Sequence, residues 1–259
     1  MPLDFTRKPA LVAYVTCGDP DLAISREIIL SAIDAGADVI ELGVPFSDPV
    51  ADGPVIQRAS ERALKRGTTL QNVLELAAAV RKERPQAGLI VFSYLNPIFR
   101  FGLNRFAGAA AQAGVDGVLA TDMIVEEAGE YLRAMRGHKL ATVFLAAPTS
   151  PDERLQRIAE ASSGFIYAVS RLGVTGAQQQ LSADAQSLVE RIRPFTQLPV
   201  AVGFGVSNAE QFAAVGAYAD AVVVGSAIVS IIEREGREAP KAVGDFVRSL
   251  RGKQVATSS

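Results

Sequence analysis

Eight short apolar runs rich in β-branched residues punctuate the chain, and each is followed by a stretch with helical character. They are "LVAYVT" (11–16), "ADVIELG" (37–43), "LIVFSY" (89–94), "GVLAT" (117–121), "ATVFLAA" (141–147), "GFIYAVS" (164–170), "PVAVGFG" (199–205) and "AVVVGS" (221–226). Each run is continuously apolar instead of alternating, the pattern of parallel strands buried on both faces. Between them lie alanine-rich amphipathic segments such as "DLAISREIILSAIDAGA", "TTLQNVLELAAAVRKE" and "LNRFAGAAAQAGV". The phrases "AGAD", "AGVD" and "VGAYAD" precede the second, fourth and eighth runs, and their glycines read as helix C-terminal turns back into the next strand. Eight strand–helix units without a linker or a break in composition predict a single (β/α)8 barrel over residues 1–259. Only 253–259 reads as a loose tail. The alternative arrangement of the same units is an open, doubly wound sheet.

Composition narrows the function classes. The formal net charge is −2, with 49% hydrophobic and 21% charged residues, so neither a nucleic-acid tract nor a membrane-surface patch is expected. The segment "MPLDFTRKPA" lacks the apolar core of a signal peptide, and no apolar run is long enough to span a bilayer. A single cysteine, Cys17, excludes an internal disulfide framework and suits a reducing compartment. The expected location is the cytoplasm.

In a barrel of this kind the chemistry sits at the C-terminal ends of the strands. Strand two ends in "ELGVPFSDPVADGP" (41–54), a carboxylate closing an apolar run and then a loop stiffened by three prolines. Glu41 reads either as a strand-end member of an ion pair or as an acid whose pKa is raised by its apolar neighbours. Asp52, in "ADGP", reads either as a turn residue or as a second acid in a different setting, and Asp48 has the same ambiguity. Glycine-rich stretches follow strands six, seven and eight: "GVTG" (173–176), "GFGVS" (203–207) and "GSAIV" (225–229). Backbone N–H groups at such turns, with a helix N-terminus, predict a phosphate site that needs no lysine or arginine.

Absent residue types exclude other chemistries. The lone histidine, His138, falls before strand five, at the wrong end for catalysis, and no residue cluster suggests a metal. None of the six lysines (8, 65, 82, 139, 241 and 253) ends a strand where an imine would form. Cys17 has no histidine to activate it and reads as packing. What remains is a phosphorylated small molecule handled by carboxylates and a tyrosine, Tyr167 of strand six. If such a chain breaks a carbon–carbon bond, the substrate must supply its own electron sink, as an indole ring protonated at C3 does.

The stretch "ELGVPFSDPVADGPVIQ", with "YVTCGDP" (14–20), "SRLGVTGA" (170–177), "GFGVS" and "GSAIV", resembles the signature of tryptophan synthase α subunits. That resemblance implies cofactor-free retro-aldol cleavage of indole-3-glycerol phosphate to indole and glyceraldehyde 3-phosphate. By motif position it implies that Glu41 protonates indole C3 and then takes the side-chain hydroxyl proton. Asp52 would accept the indole N–H, and Tyr167 would assist beside the glycerol phosphate. It further implies backbone phosphate contacts at Gly176, Gly205 and Gly225, with Phe204 and Ser226 adjacent. Thr175 would reach Asp52 on loop closure. Tyr14, Phe92 and Leu119 would line the indole slot, ordinary barrel core being the other reading of all three. The family also implies a β-subunit partner in an α2β2 heterotetramer, with pyridoxal phosphate only on that partner and contacts near Pro45, Asp48 and Asn96.

Three positions depart from the expected pattern: Ile124 in place of a proline, Leu172 in place of a small polar residue, and Tyr14 in place of an apolar ring. Two other functions fit the same residues. One is a free-standing lyase that releases indole; the other is a catalytically silent barrel that binds phosphate ligands.

Overall fold

A computed structural model of the chain describes residues 3, 5–169, 178–203 and 205–252, with the backbone alone for 178–182. Eight strands, β1 (Ala10–Thr16), β2 (Val39–Gly43), β3 (Gly88–Ser93), β4 (Gly117–Ala120), β5 (Ala141–Ala146), β6 (Ile166–Val169), β7 (Val200–Gly203) and β8 (Ala221–Val224), pair in parallel in sequence order. β8 pairs back onto β1, Ala10 lying opposite Ala221, so the sheet closes into a (β/α)8 barrel and the open-sheet alternative is excluded. All seven residues of β1 and all five of β2 are buried, because one set of side chains fills the barrel and the other meets the helices.

Around the barrel run α1 (Leu22–Asp34), α2 (Pro54–Lys65), α3 (Leu70–Glu83), α4 (Leu95–Phe101), α5 (Leu103–Gln112), α6 (Gly129–Gly137), α7 (Asp152–Ala161), α8 (Gln178–Ile192), α9 (Ala209–Gly216), α10 (Ser226–Glu235) and α11 (Ala239–Arg251). Their starts follow local chemistry. Asp21 caps α1 by accepting from the Ile24 N–H, Thr69 and Asn72 form a capping box on α3, and Pro54 opens α2 where no N–H is needed. No described helix is long and apolar enough to cross a membrane.

The three recurring phrases do more than turn the chain. Gly36 and Gly114 have φ of +112° and +77°, the left-handed geometry expected of a glycine after a helix. Gly216 differs from that expectation. It is the last residue of α9, and a Cβ there would lie 2.3 Å from the Pro9 ring, so close packing selects glycine. The aspartate that ends each phrase grips the preceding strand. Asp38 accepts the Leu11 N–H at 2.7 Å, Asp116 that of Leu89 at 2.8 Å, and Asp220 that of Val200 at 2.9 Å. Before β6, Ser163 Oγ does the same for Thr142 at 3.0 Å. Every even-numbered strand therefore enters the barrel holding its odd-numbered neighbour. The aspartates are braced by cations: Arg251 on Asp38, Arg81 on Asp116, and Lys8 with Arg193 on Asp220. Arg251 also donates to the carbonyls of Pro9 and Gly36, joining α11 to the start of the barrel.

Candidate active site

Alternate strand residues point inward and build an apolar interior from Val12, Val39, Ile90, Leu119, Val143 and Ala201, with Phe5 and Phe165 in the same cluster. Two residues after Val39, the same periodicity carries Glu41 onto this inner wall, in register with Tyr14 on β1 and Ile90 on β3. Glu41 is fully buried and neither carboxyl oxygen has a hydrogen-bond partner. An ionised carboxylate there would lose its hydration with nothing to replace it, and burial raises its pKa from 4.5 to about 8. The ion-pair reading of Glu41 finds no support, because no described residue gives it a cationic or hydrogen-bonding partner. It is a neutral acid that holds its proton at pH 7.

Two tyrosines share its chamber. Tyr14 accepts a hydrogen bond from Thr16 Oγ1 at 3.3 Å, and its ring meets Phe92 edge-on with centroids 5.0 Å apart. Burial raises the pKa of Tyr14 and Tyr167 well above 10, and the negative fields of Asp52 and Glu41 add to it in both. Each hydroxyl lies over a glycine on the next strand. A Cβ at Gly43 would sit 2.4 Å from the Tyr14 hydroxyl oxygen, and one at Gly203 would sit 2.4 Å from that of Tyr167. These strand-end glycines are the sequence signal for both rings, and motif spacing alone does not assign them that role.

The loop after β2 brings in the second acid. Asp52 is half-buried, and burial lifts its pKa from 3.8 to about 6 against the opposing hydrogen bond from the Tyr94 hydroxyl at 3.2 Å. The turn reading of Asp52 is also present: its N–H donates to the Pro49 carbonyl, and the Asp52 carbonyl accepts from Gln57 Nε2 at 2.9 Å. Two carboxyls in one region thus stand in opposite states at neutral pH, Glu41 protonated and Asp52 largely ionised.

A cavity of about 490 Å³ opens at the C-terminal ends of the strands; neither acid lines it, but Tyr167, which senses the charge of both, does. Val55 and Ile56 of α2 form one wall, Tyr167 lines it, and Gly203, Gly205, Gly225 and Ser226 form the other end. That end is the N-terminus of α10, where unpaired N–H groups and the helix dipole favour an anion. No described residue lining the cavity is lysine or arginine, so among these residues the donors are backbone N–H groups and the Ser226 hydroxyl. A larger cavity of about 950 Å³ lies at the opposite end of the barrel, among Arg7, Asp34, Phe212 and Arg251. It contains none of the groups above, and its acids are bound to arginines.

The remaining expected positions separate into groups. Phe92 packs with Tyr14, Val55 and Ile56 beside the cavity. Leu119 is fully buried beside Ile90 and Val143, in the core below. Asp48 and Asn96 are exposed on the rim, whereas Pro45 is buried by this chain alone. Around that rim Val50 is 87% exposed and Phe99 64%, an unusual cost for apolar side chains. Ile124 is exposed nearby in sequence to Asp122, which caps the Leu95 N–H. Thr175, Gly176 and Phe204, with Leu172, lie outside the described residues. Cys17 is buried with its thiol pKa pushed up, and His138 sits at the end of α6 bonded to Asn104, away from the acids. No cluster of potential metal ligands occurs among the described residues. Tyr94, which motif reading passed over as the last residue of strand three, turns out to touch Asp52 directly.

Comparison with known proteins agrees with this architecture. The family model described as tryptophan synthase alpha chain matches residues 3–257. The tryptophan synthase alpha chain of Solibacter usitatus is 51% identical over 246 residues, covering 94% of this chain and 92% of that one. The Geobacter sulfurreducens alpha chain is 48% identical, with 96% and 94% covered. Among solved structures, a Mycobacterium tuberculosis tryptophan synthase superposes with a TM-score of 0.85 at 39% identity, covering 94% and 91%. A Pyrococcus furiosus tryptophan synthase complex gives 0.86 at 39% identity, covering 95% and 99%.

Proposed function

The chain belongs to the family of tryptophan synthase alpha chains, and from that premise we propose how its own residues carry out the family's reaction. The reaction is the retro-aldol cleavage of indole-3-glycerol phosphate to indole and D-glyceraldehyde 3-phosphate, the alpha-subunit step of tryptophan biosynthesis. The phosphate rests on the backbone of Gly205, Gly225 and Ser226 at the start of α10. The indole ring lies against Tyr14 and Phe92, above the floor that Leu119 supports. Glu41 gives its proton to indole C3, which moves positive charge onto the ring nitrogen. Asp52, ionised, accepts the N–H bond and stabilises that charge. Glu41, now a carboxylate in a site that disfavours charge, takes the proton from the glycerol hydroxyl adjacent to the ring. The carbon–carbon bond then breaks, its electrons return to the ring as indole, and the aldehyde forms. Glu41 ends protonated, as it began. Tyr167, which lines the cavity, assists beside the glycerol phosphate.

The observation that carries this reading is the buried Glu41 carboxyl, whose two oxygens have no partner among the described residues and whose charge Tyr167 of the cavity wall senses. An indole-release assay on the purified chain, with and without a β subunit, tests it. The chain contains no tryptophan, so indole fluorescence is read against little background. Glu41→Gln is expected to lower turnover by at least about a thousandfold, the scale of lost acid–base catalysis. Near-normal release would overturn the assignment.

The same reading extends to assembly. The protein docks on a β subunit, in an α2β2 heterotetramer, through the rim that carries Asp48, Asn96 and the loop around Pro45. The exposed Val50 and Phe99 support this, as does the resemblance to a tryptophan synthase complex. Pyridoxal phosphate belongs to that partner, and this chain uses no cofactor. A cytoplasmic location completes the proposal.

A further inference from the structure

Tyr94 follows β3 and starts α4, with its ring buried against Phe46 at a centroid distance of 5.0 Å. Its hydroxyl makes two bonds of opposite sense: the oxygen accepts the Ala51 N–H at 2.9 Å, and the hydrogen is donated to Asp52 Oδ2 at 3.2 Å. One atom therefore fixes both the backbone of the β2–α2 loop and the rotation of its carboxylate. We propose that Tyr94 is a positioning residue for the cleavage reaction, tying Ala51 to Asp52 Oδ2 so that Oδ1 alone remains for the indole N–H. The inference rests on the role given to Asp52 above and adds how that role is enforced.

The tyrosine favours one protonation state of Asp52 over the other. A phenol O–H donates to an ionised carboxylate more strongly than to a neutral carboxyl, so it opposes the burial that favours protonation. The tyrosine keeps its own proton, because burial and the Asp52 charge push its pKa to about 12. Other ionisable groups sense the pair, namely Tyr14 from β1, Asp122 beyond β4 and Tyr167 from β6, and Glu41 of β2 acts on the two tyrosines. None of these is a cation, and among the described residues it is the Tyr94 hydroxyl that favours the ionised form of Asp52. The loop gains from the same contact, since its exposed tip at Val50 is the residue next to the anchored Ala51.

The test is the pH dependence of indole release by Tyr94→Phe. Loss of the donor should raise the acid limb of kcat/KM by about one pH unit, so that the loss at pH 6 exceeds that at pH 8 roughly fivefold. Tyr131→Phe is the control. Its buried hydroxyl donates to the Val118 carbonyl at 3.2 Å in the barrel wall, so its loss lowers Tm without moving the limb. Fluorotyrosine at position 94, a stronger donor of almost the same shape, should shift the limb downward and serves if the phenylalanine variant folds poorly. An equal loss at both pH values, or an unmoved limb with either replacement, overturns the proposal. Asp52→Asn separates the two levels of the argument. Wild-type turnover in that variant would remove the role of Asp52 itself, whereas an inactive Asp52→Asn beside an unshifted Tyr94→Phe would remove only the positioning.

Discussion

Glu41 shows how one residue can be selected against stability. Its folded-state pKa of about 8 lies above the ordinary 4.5, so the folded chain holds a proton that the unfolded chain releases. The cost is absent below about pH 4.5, grows as pH rises, and levels off beyond about pH 8. Glu41→Gln should therefore come close to the parent in urea unfolding at pH 4 yet exceed it by roughly 2–4 kcal/mol at pH 8. A deficit at pH 8 would mean that the carboxylate finds a partner. The same two acids set the pH profile of the reaction. Below about pH 6 Asp52 gains a proton and cannot stabilise the ring cation; above about pH 8 Glu41 has lost the one it must donate. A bell-shaped kcat/KM with its maximum near pH 7 is expected from steady-state assays across that range. Glycines matter here as spaces. Gly203→Ala would force the Tyr167 hydroxyl away from its place, and the expected result is a loss of turnover with a normal Tm.

Among the elements, α2 and α10 flank the cavity, and an ion network joins them away from it. Arg62 holds the buried Asp19, which follows β1, by two bonds of 2.8 and 2.7 Å, and reaches Glu233 of α10 at 2.7 Å. Arg58 adds two bonds to Glu233, whose pKa falls to about 2 chiefly through that pairing. Exposed pairs such as Arg58–Glu233 contribute little alone, but Asp19 is out of water and depends on Arg62. Arg62→Met is expected to cost about 2–4 kcal/mol in thermal or urea unfolding, because it strands that carboxylate. It should also raise KM more than it lowers kcat, since the two helices carry the walls of the substrate site and not the acid. The strand grips make a parallel case at the barrel's other end. Asp116→Ala removes both the Leu89 N–H acceptor and the Arg81 partner, and a loss of about 3 kcal/mol is expected without a change in the pH profile.

At the scale of the whole molecule, closure of the sheet is what makes the site. It gathers Tyr14, Glu41, Tyr94 and Tyr167, residues from four different strands or strand ends, at one mouth, and keeps the grips at the far end. The strand grips are thereby kept apart from the chemistry. The rim carries the exposed Val50 and Phe99, which suits docking of a second chain. Val50→Asp should weaken activation by a β subunit in a coupled assay, while the isolated chain keeps its Tm and its basal turnover.

Much of this was legible before any coordinates. Eight continuous apolar runs determined the parallel strands, because a strand covered on both faces must be apolar at every position, and the observed barrel bears that out. The strand-end rule led to Glu41 and Asp52, and the glycine stretches to the end of the cavity formed by Gly205 and Gly225. The sequence by itself left the state of Glu41 open, because a carboxylate at a strand end has the same letters whether or not a cation waits across the barrel. Nor did it give the hydroxyl of Tyr94 a role, or show that Pro9 makes Gly216 a glycine. Each of these depends on contacts between residues far apart in the chain. Local sequence fixes periodicity and caps, which act over a few residues, whereas proton affinity and side-chain reach are set by whatever the closed barrel brings within a few ångströms.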